Sequence, residues 1–100
     1  FGNEGNDLLV GAVGNDLIVG GSGNDTIRGE LNNDTIFGSE GDDKIYGASG
    51  DDTIHGNSGN DTIDGGSGND TLIGDADSDK ANGQSGTDTC TAETEISCEL

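Results

Sequence analysis

The sequence predicts an all-β fold, a solenoid of short parallel strands stacked coil on coil, on three observations. A glycine recurs every nine residues: Gly2, Gly11, Gly20, Gly29, Gly38, Gly47, Gly56, Gly65, Gly74 and Gly83. Five residues after each comes an aspartate: Asp7, Asp16, Asp25, Asp34, Asp43, Asp52, Asp61, Asp70, Asp79 and Asp88. The eighth position of the unit is an almost purely aliphatic column: Leu9, Ile18, Ile27, Ile36, Ile45, Ile54, Ile63, Leu72, Ala81 and Cys90. A fixed short period means one small unit stacked on copies of itself.

The unit Gly20-Gly21-Ser22-Gly23-Asn24-Asp25-Thr26-Ile27-Arg28 shows how each part behaves. Its first six residues are turn chemistry, because Gly supplies positive φ and Asn and Asp tolerate it. The last three form a short strand. Side chains alternate across a strand, so Ile27 faces a core while Thr26 and Arg28 face out. A three-residue strand and a six-residue turn reverse the chain, and two units close one coil of 18 residues. Ten units make five coils, with strands about 4.8 Å apart and a rod roughly 24 Å long.

These residues resemble the G-G-x-G-x-D-x-U-x nonapeptide of the RTX, or haemolysin-type, calcium-binding repeats. The match spans residues 2–91 and holds in register through ten units. The resemblance implies a parallel β-roll, a right-handed β-solenoid with two nonapeptides per coil and calcium between stacked turns. The ten aspartates are its implied ligands, with backbone oxygens of the turn glycines, among them Gly23, Gly41, Gly50, Gly59 and Gly68.

Electrostatics agrees with that implication. Turns on one edge carry Asp7, Asp25, Asp43, Asp61 and Asp79, and the other edge carries Asp16, Asp34, Asp52, Asp70 and Asp88. Neighbouring carboxylates near 5 Å repel by about 3–4 kcal/mol at an effective dielectric of 20. Calcium takes six to eight oxygens from carboxylates and carbonyls, whereas magnesium resists dehydration. Each edge has room for four gaps, so up to about eight ions offset most of the formal charge of -18.

Composition alone points to disorder. Leu, Ile, Val and Phe supply only 19 of 100 residues, and 20 glycines raise the entropy lost on folding. The regular repeat favours a chain ordered by what neutralises it. The acidic balance excludes nucleic acid and anionic membrane surfaces as partners. No apolar run reaches the roughly 20 residues of a membrane span.

Two units depart from the pattern. The fourth has Asn32 in place of the second turn glycine, and Asn is the next-best residue for positive φ. The ninth reads Gly74-Asp75-Ala76-Asp77-Ser78-Asp79-Lys80-Ala81-Asn82. Asp77 replaces glycine and the core residue shrinks to Ala81, so the site shared by Asp61 and Asp79 is degenerate. After residue 91 the period fades. Residues 92–100 are expected to cap the open core. A disulfide between Cys90 and Cys98 is expected to pin that cap, rather than free thiols or a zinc site. Such a disulfide and weak extracellular-type calcium sites imply a secreted or cell-surface location. The chain opens on Phe1, the last residue of an incomplete unit, so any export signal is expected upstream.

Leu8, Val10, Leu17 and Val19 are apolar where later units place polar residues. They read as a contact surface for an upstream domain or another copy, or as residues that simply suit strands. The leading function is a secreted, calcium-folded structural module without enzymatic activity. The alternative is a self-assembling filament, surface-layer or adhesin subunit built by head-to-tail stacking. Ice binding would need an unbroken threonine row, and Lys44 and Lys80 interrupt Thr26, Thr35, Thr53, Thr62, Thr71 and Thr89. The single histidine, His55, lies on an outward strand position, and no Ser or Cys nucleophile has a base partner nearby.

Overall fold

The computed structural model describes residues 1–92 and 95–97. Its strands are β1 (Asn3–Glu4), β2 (Leu8–Val13), β3 (Leu17–Ser22), β4 (Thr26–Leu31), β5 (Thr35–Glu40), β6 (Lys44–Ser49), β7 (Thr53–Ser58), β8 (Thr62–Ser67), β9 (Thr71–Ala76), β10 (Lys80–Ser85), β11 (Thr89–Thr91) and β12 (Glu95–Ser97). Odd-numbered strands form one sheet, in the order β1-β3-β5-β7-β9-β11, and even-numbered strands form the other. Every pairing is parallel and offset by one coil, as in Ile36↔Ile54 and Ile45↔Ile63. This is the predicted parallel β-solenoid of about five turns.

The core is two facing columns of eighth-position side chains, one from each sheet. Ile27, Ile36, Ile45, Ile54 and Leu72 are fully buried, with Ile18, Ile63 and Ala81 nearly so. Leu9, Cys90 and Ala92 are partly buried against these columns. The aliphatic eighth position therefore does what its alternation predicts. Cys98 and the expected Cys90–Cys98 disulfide lie outside the described residues, as does most of the expected cap.

Full-length strands run to six residues rather than the expected three. Turn residues also join the ladder, so Gly21 pairs with Ser39 and Ser22 with Glu40. The ladder skips only the first glycine of each unit, where the strand bends. Positive φ falls at the second and fourth positions instead. The fourth is mostly glycine, with Asn32 at 82° and Asp77 at 81° taking the same conformation. The two irregular units thus keep the backbone of the others. The second position is glycine only at Gly21 and Gly66 and otherwise holds residues with a side chain, among them Ala48 at 84° and Ser39 at 88°. A Cβ in that region is strained. Thermal unfolding of the calcium-loaded chain is expected to show Ala48→Gly stabilised and Ala48→Val destabilised, each by about 1 kcal/mol.

Two-sheet sorting changes one expectation. Thr35, Thr53, Thr71 and Thr89 are register neighbours on the odd sheet, while Lys44 and Lys80 lie on the even sheet. The lysines therefore do not interrupt that threonine row. Beside it runs the column Val19, Phe37, His55, Ile73. Two stacked rings flanked by aliphatic chains make that face uneven, so it is no uniform lattice. The His55 ring stacks on Phe37 at 5.1 Å, and its Nδ1 lies 3.2 Å from Asp75 Oδ2. The apolar N-terminal surface includes Leu8, Val10 and Leu17 as expected, joined by Phe1 and Val13; Val19 is half-buried.

Candidate metal centre

The repeated aspartates sit at the two rims where one sheet passes into the other. Those from Asp25 to Asp88 are at most 2% exposed. Each Oδ1 along a rim accepts the backbone N–H of the aspartate one coil earlier. On one rim Asp25 accepts from Asp7 at 2.7 Å, Asp43 from Asp25 at 2.7 Å, Asp61 from Asp43 at 2.9 Å and Asp79 from Asp61 at 2.9 Å. On the other, Asp34, Asp52, Asp70 and Asp88 accept from Asp16, Asp34, Asp52 and Asp70 at 2.8–2.9 Å. The aspartate backbone carbonyls are also used, as in Thr26 N–H to Asp7 O.

The second carboxylate oxygen is different. Oδ2 of Asp7, Asp16, Asp25, Asp34, Asp43, Asp52, Asp61, Asp70 and Asp88 is buried with no hydrogen-bond partner among the described residues. A buried anionic acceptor without a partner is costly. Such an atom repeated along both rims calls for a cation.

The first-position glycines explain how these oxygens come so close to the main chain. None takes a positive φ. Instead, a Cβ built on Gly20 would lie 2.6 Å from Asp25 Oδ2 and 2.5 Å from Gly38 O. On Gly11 it would lie 2.7 Å from Asp16 Oδ2 and 2.8 Å from Gly29 O. Carbon cannot approach oxygen so closely, so only glycine lets the carboxylate and the next coil's carbonyl pack this near the main chain. From Gly2 to Gly56, each such glycine packs against one carboxylate and the first-position carbonyl of the next coil.

The fourth-position glycines Gly23, Gly41, Gly50, Gly59 and Gly68 sit elsewhere in the turn. A Cβ on each would collide with the carbonyl of the fourth-position residue one coil earlier, Gly5 O for Gly23 and Asn32 O for Gly50. Their carbonyl row runs along the rim from coil to coil. Among the described residues no three His, Cys, Asp or Glu side chains gather at one point, so a cation here would draw heavily on backbone oxygens.

A second ladder was not anticipated. The fifth-position Oδ1 of Asn6, Asn15, Asn24 and Asn33 accepts the N–H of the equivalent residue one coil later, at 2.8–3.0 Å. Asp42, Asp51, Asn60 and Asn69 continue it. The signal was present as Asn or Asp before the repeated aspartate in most units, and only stacking gives it a purpose. Where the fourth glycine is lost, the replacement helps: Asn32 Oδ1 takes Gly14 N–H and Asp77 Oδ2 takes Gly59 N–H, both at 3.0 Å.

Burial is the first cause that raises the carboxyl pKa of Asp34, Asp43, Asp52, Asp61 and Asp70. Asp43 and Asp70 are pushed up to about 6 and Asp61 to about 7, from 3.8. Asp34 and Asp52 move the same way. The backbone N–H bond opposes this shift, and repulsion from the next aspartate adds to it. Because these folded-state values lie above the unfolded value, the metal-free roll is stabilised below about pH 4 and loses that contribution as pH rises to about 7. Cation binding competes with the same protons. Lowering pH from 8 to 5.5 is therefore expected to raise the calcium midpoint in a circular-dichroism titration. An unchanged midpoint would show that these carboxylates do not exchange protons for metal.

A family model described as RTX calcium-binding nonapeptide repeat (4 copies) matches residues 1–36, 29–63 and 55–90. No curated protein and no solved structure matches the chain.

Proposed function

Since the chain belongs to the RTX calcium-binding nonapeptide repeat family, we propose that it is a secreted structural module that folds on binding calcium through its own two rims. The observation that carries this reading is the row of buried, unpartnered Oδ2 atoms, each packed against a first-position glycine. The proposed ligands are the Oδ2 atoms of the repeated aspartates with turn carbonyls. First-position carbonyls join the set because they pack against the same glycines. Fourth-position carbonyls of Gly23, Gly41, Gly50, Gly59 and Gly68 remain proposed ligands from the turn.

Bound calcium supplies positive charge and oxygen coordination where the fold has buried negative charge. Ordering is thermodynamically linked to binding, because the unfolded chain lacks the stacked rims. Up to about eight ions are proposed, four gaps on each rim. Isothermal titration calorimetry tests the number, and a stoichiometry of one or two ions per chain would overturn rim-wide occupancy. Secretion follows from the need for calcium well above cytosolic levels.

A second reading is favoured by the N-terminal end. Phe1 is 81% exposed, Val13 75% and Leu8 70%. A depression of about 300 Å³ lies there, lined by Phe1, Leu8, Leu9, Val10, Gly11, Leu17 and Ile18 together with the rim carboxylate Asp16. An open apolar end is suited to stacking against another copy or a neighbouring domain. Sedimentation velocity in saturating calcium separates the readings: a single monomer boundary across concentrations excludes self-assembly through this end.

A further inference from the structure

We propose that Asn82 is a site of spontaneous deamidation, protected when the roll is calcium-loaded, and that its modification disables the rim contact between Asp70 and Asp88. The protection rests on the calcium-dependent folding proposed above; the site itself does not.

Asn82 is the one asparagine followed by glycine. A glycine neighbour has no side chain to hinder ring closure and gives the backbone its widest freedom. Asn6, Asn15, Asn24, Asn33, Asn60 and Asn69 are instead followed by aspartate, and their Oδ1 atoms accept inter-coil N–H bonds. Asn82 is exposed, and its Oδ1 accepts a local 3.1 Å bond from Gln84 N–H. Its strand pairs on one side with β8 and on the other with the three-residue β12. Its coil places Ala81 in the core where others place isoleucine or leucine. Local opening is easiest where apolar packing is thinnest.

The chemistry balances without an oxidant or reductant. The Gly83 nitrogen, its proton taken by solvent base, attacks Cγ of Asn82. The N–Cγ bond forms, the Cγ–Nδ2 bond breaks and ammonia leaves. Water then opens the five-membered imide at either carbonyl, giving aspartate or isoaspartate. In β10 the extended, ladder-bound backbone holds the Gly83 nitrogen away from Cγ, so closure needs the strand to open.

The damage is transmitted through Gly83. Isoaspartate adds one methylene to the main chain just before it. Gly83 has no room to yield, because even a Cβ there would meet Asp88 Cγ at 2.6 Å and Cβ at 2.7 Å. Asp88 is the residue whose Oδ1 accepts Asp70 N–H at 2.8 Å. A displaced Gly83 therefore pushes the Asp88 carboxylate out of the rim.

The test incubates the full chain at pH 8 and 37 °C in calcium and in chelator, maps deamidation by peptide mass, and follows circular dichroism in parallel. Asn82 is expected to react before any other asparagine in chelator. In calcium its rate is expected to fall at least about tenfold, because a closed strand reacts only while open. Another asparagine reacting first overturns the site. Equal rates in samples that circular dichroism shows folded in calcium overturn the protection. Absence of calcium-induced β structure would defeat the proposed function and the protection with it, while the order among asparagines still decides the site. Aged wild type is expected to bind less calcium than aged Asn82→Gln, and equal losses in both overturn the transmission through Asp88.

Discussion

Removing calcium from the folded chain at pH 7.5 is expected to convert it from β structure to coil, and restoring calcium to reverse the change. This is the largest effect the molecule should show. Its core is two facing columns, and among the described residues the fully buried aliphatic side chains all lie at the eighth position. Against that thin core stand two rims of aspartates that are almost wholly buried. Adjacent carboxylates about 5 Å apart repel by about 3–4 kcal/mol at an effective dielectric of 20. That repulsion recurs along both rims, and one or two kcal/mol is already a large share of a domain's net stability. The hydrogen-bond ladders satisfy Oδ1 of residues such as Asp43 and Asp52, and their Oδ2 atoms are the proposed calcium ligands. Far-UV circular dichroism during chelation and readdition measures the change. A chain that keeps its β signal in excess chelator at this pH would refute calcium-dependent folding. Acid is the informative control. Below about pH 4 the raised carboxyl groups are protonated in both states, so chelated protein should recover β structure there.

The second large effect is Gly47→Ala, expected to cost about 3 kcal/mol or more in calcium and to weaken calcium binding on its rim. Alanine is normally an easy replacement where φ is negative, and Gly47 is not among the positive-φ glycines. The obstacle is space. A Cβ at Gly47 would run into Asp52 Oδ2 and come within 2.6 Å of Gly65 O. Neither atom is the far end of a flexible side chain: Gly65 O is backbone, and Asp52 is tied through Oδ1 to Asp34 N–H at 2.8 Å. Gly41→Ala gives the contrast, since there the positive φ of 119° adds strain to a collision with Gly23 O. Chemical denaturation in saturating calcium, with calcium stoichiometry measured beside it, checks the prediction. A Gly47→Ala variant with wild-type stability and full stoichiometry would show that the close packing of Asp52 and Gly65 on Gly47 is needed neither for folding nor for calcium binding.

Much of the fold was legible because its period is shorter than any tertiary contact. The aliphatic eighth position marks the core, and alternation puts its neighbours outside. The aspartates were legible as one column per rim for the same reason. The roles of the glycines were not. Sequence reasoning credits turn glycines with positive φ, yet the invariant first glycine lacks it and is required by the closeness of the next coil. The second position does take positive φ while mostly holding Ala, Glu, Ser, Asn, Asp or Gln, which hides the signal. The fifth-position ladder was also hidden, because its N–H partner lies 18 residues away.

The sequence by itself determined the repeat, the two-unit coil, the core column and the acidic rims. These follow from local alternation and from the regular spacing of one residue type. Tertiary structure alone decided how the stacked copies meet. It extended the strands through the turns, divided threonines and lysines between opposite sheets, and set the two ladders running in opposite directions. It also left Oδ2 of Asp25, Asp34, Asp43, Asp52, Asp61 and Asp70 buried without a hydrogen-bond donor among the described residues. The physical reason is distance. Each of these features is a contact between residues a full coil apart, which no local pattern encodes until the coils are about 4.8 Å apart.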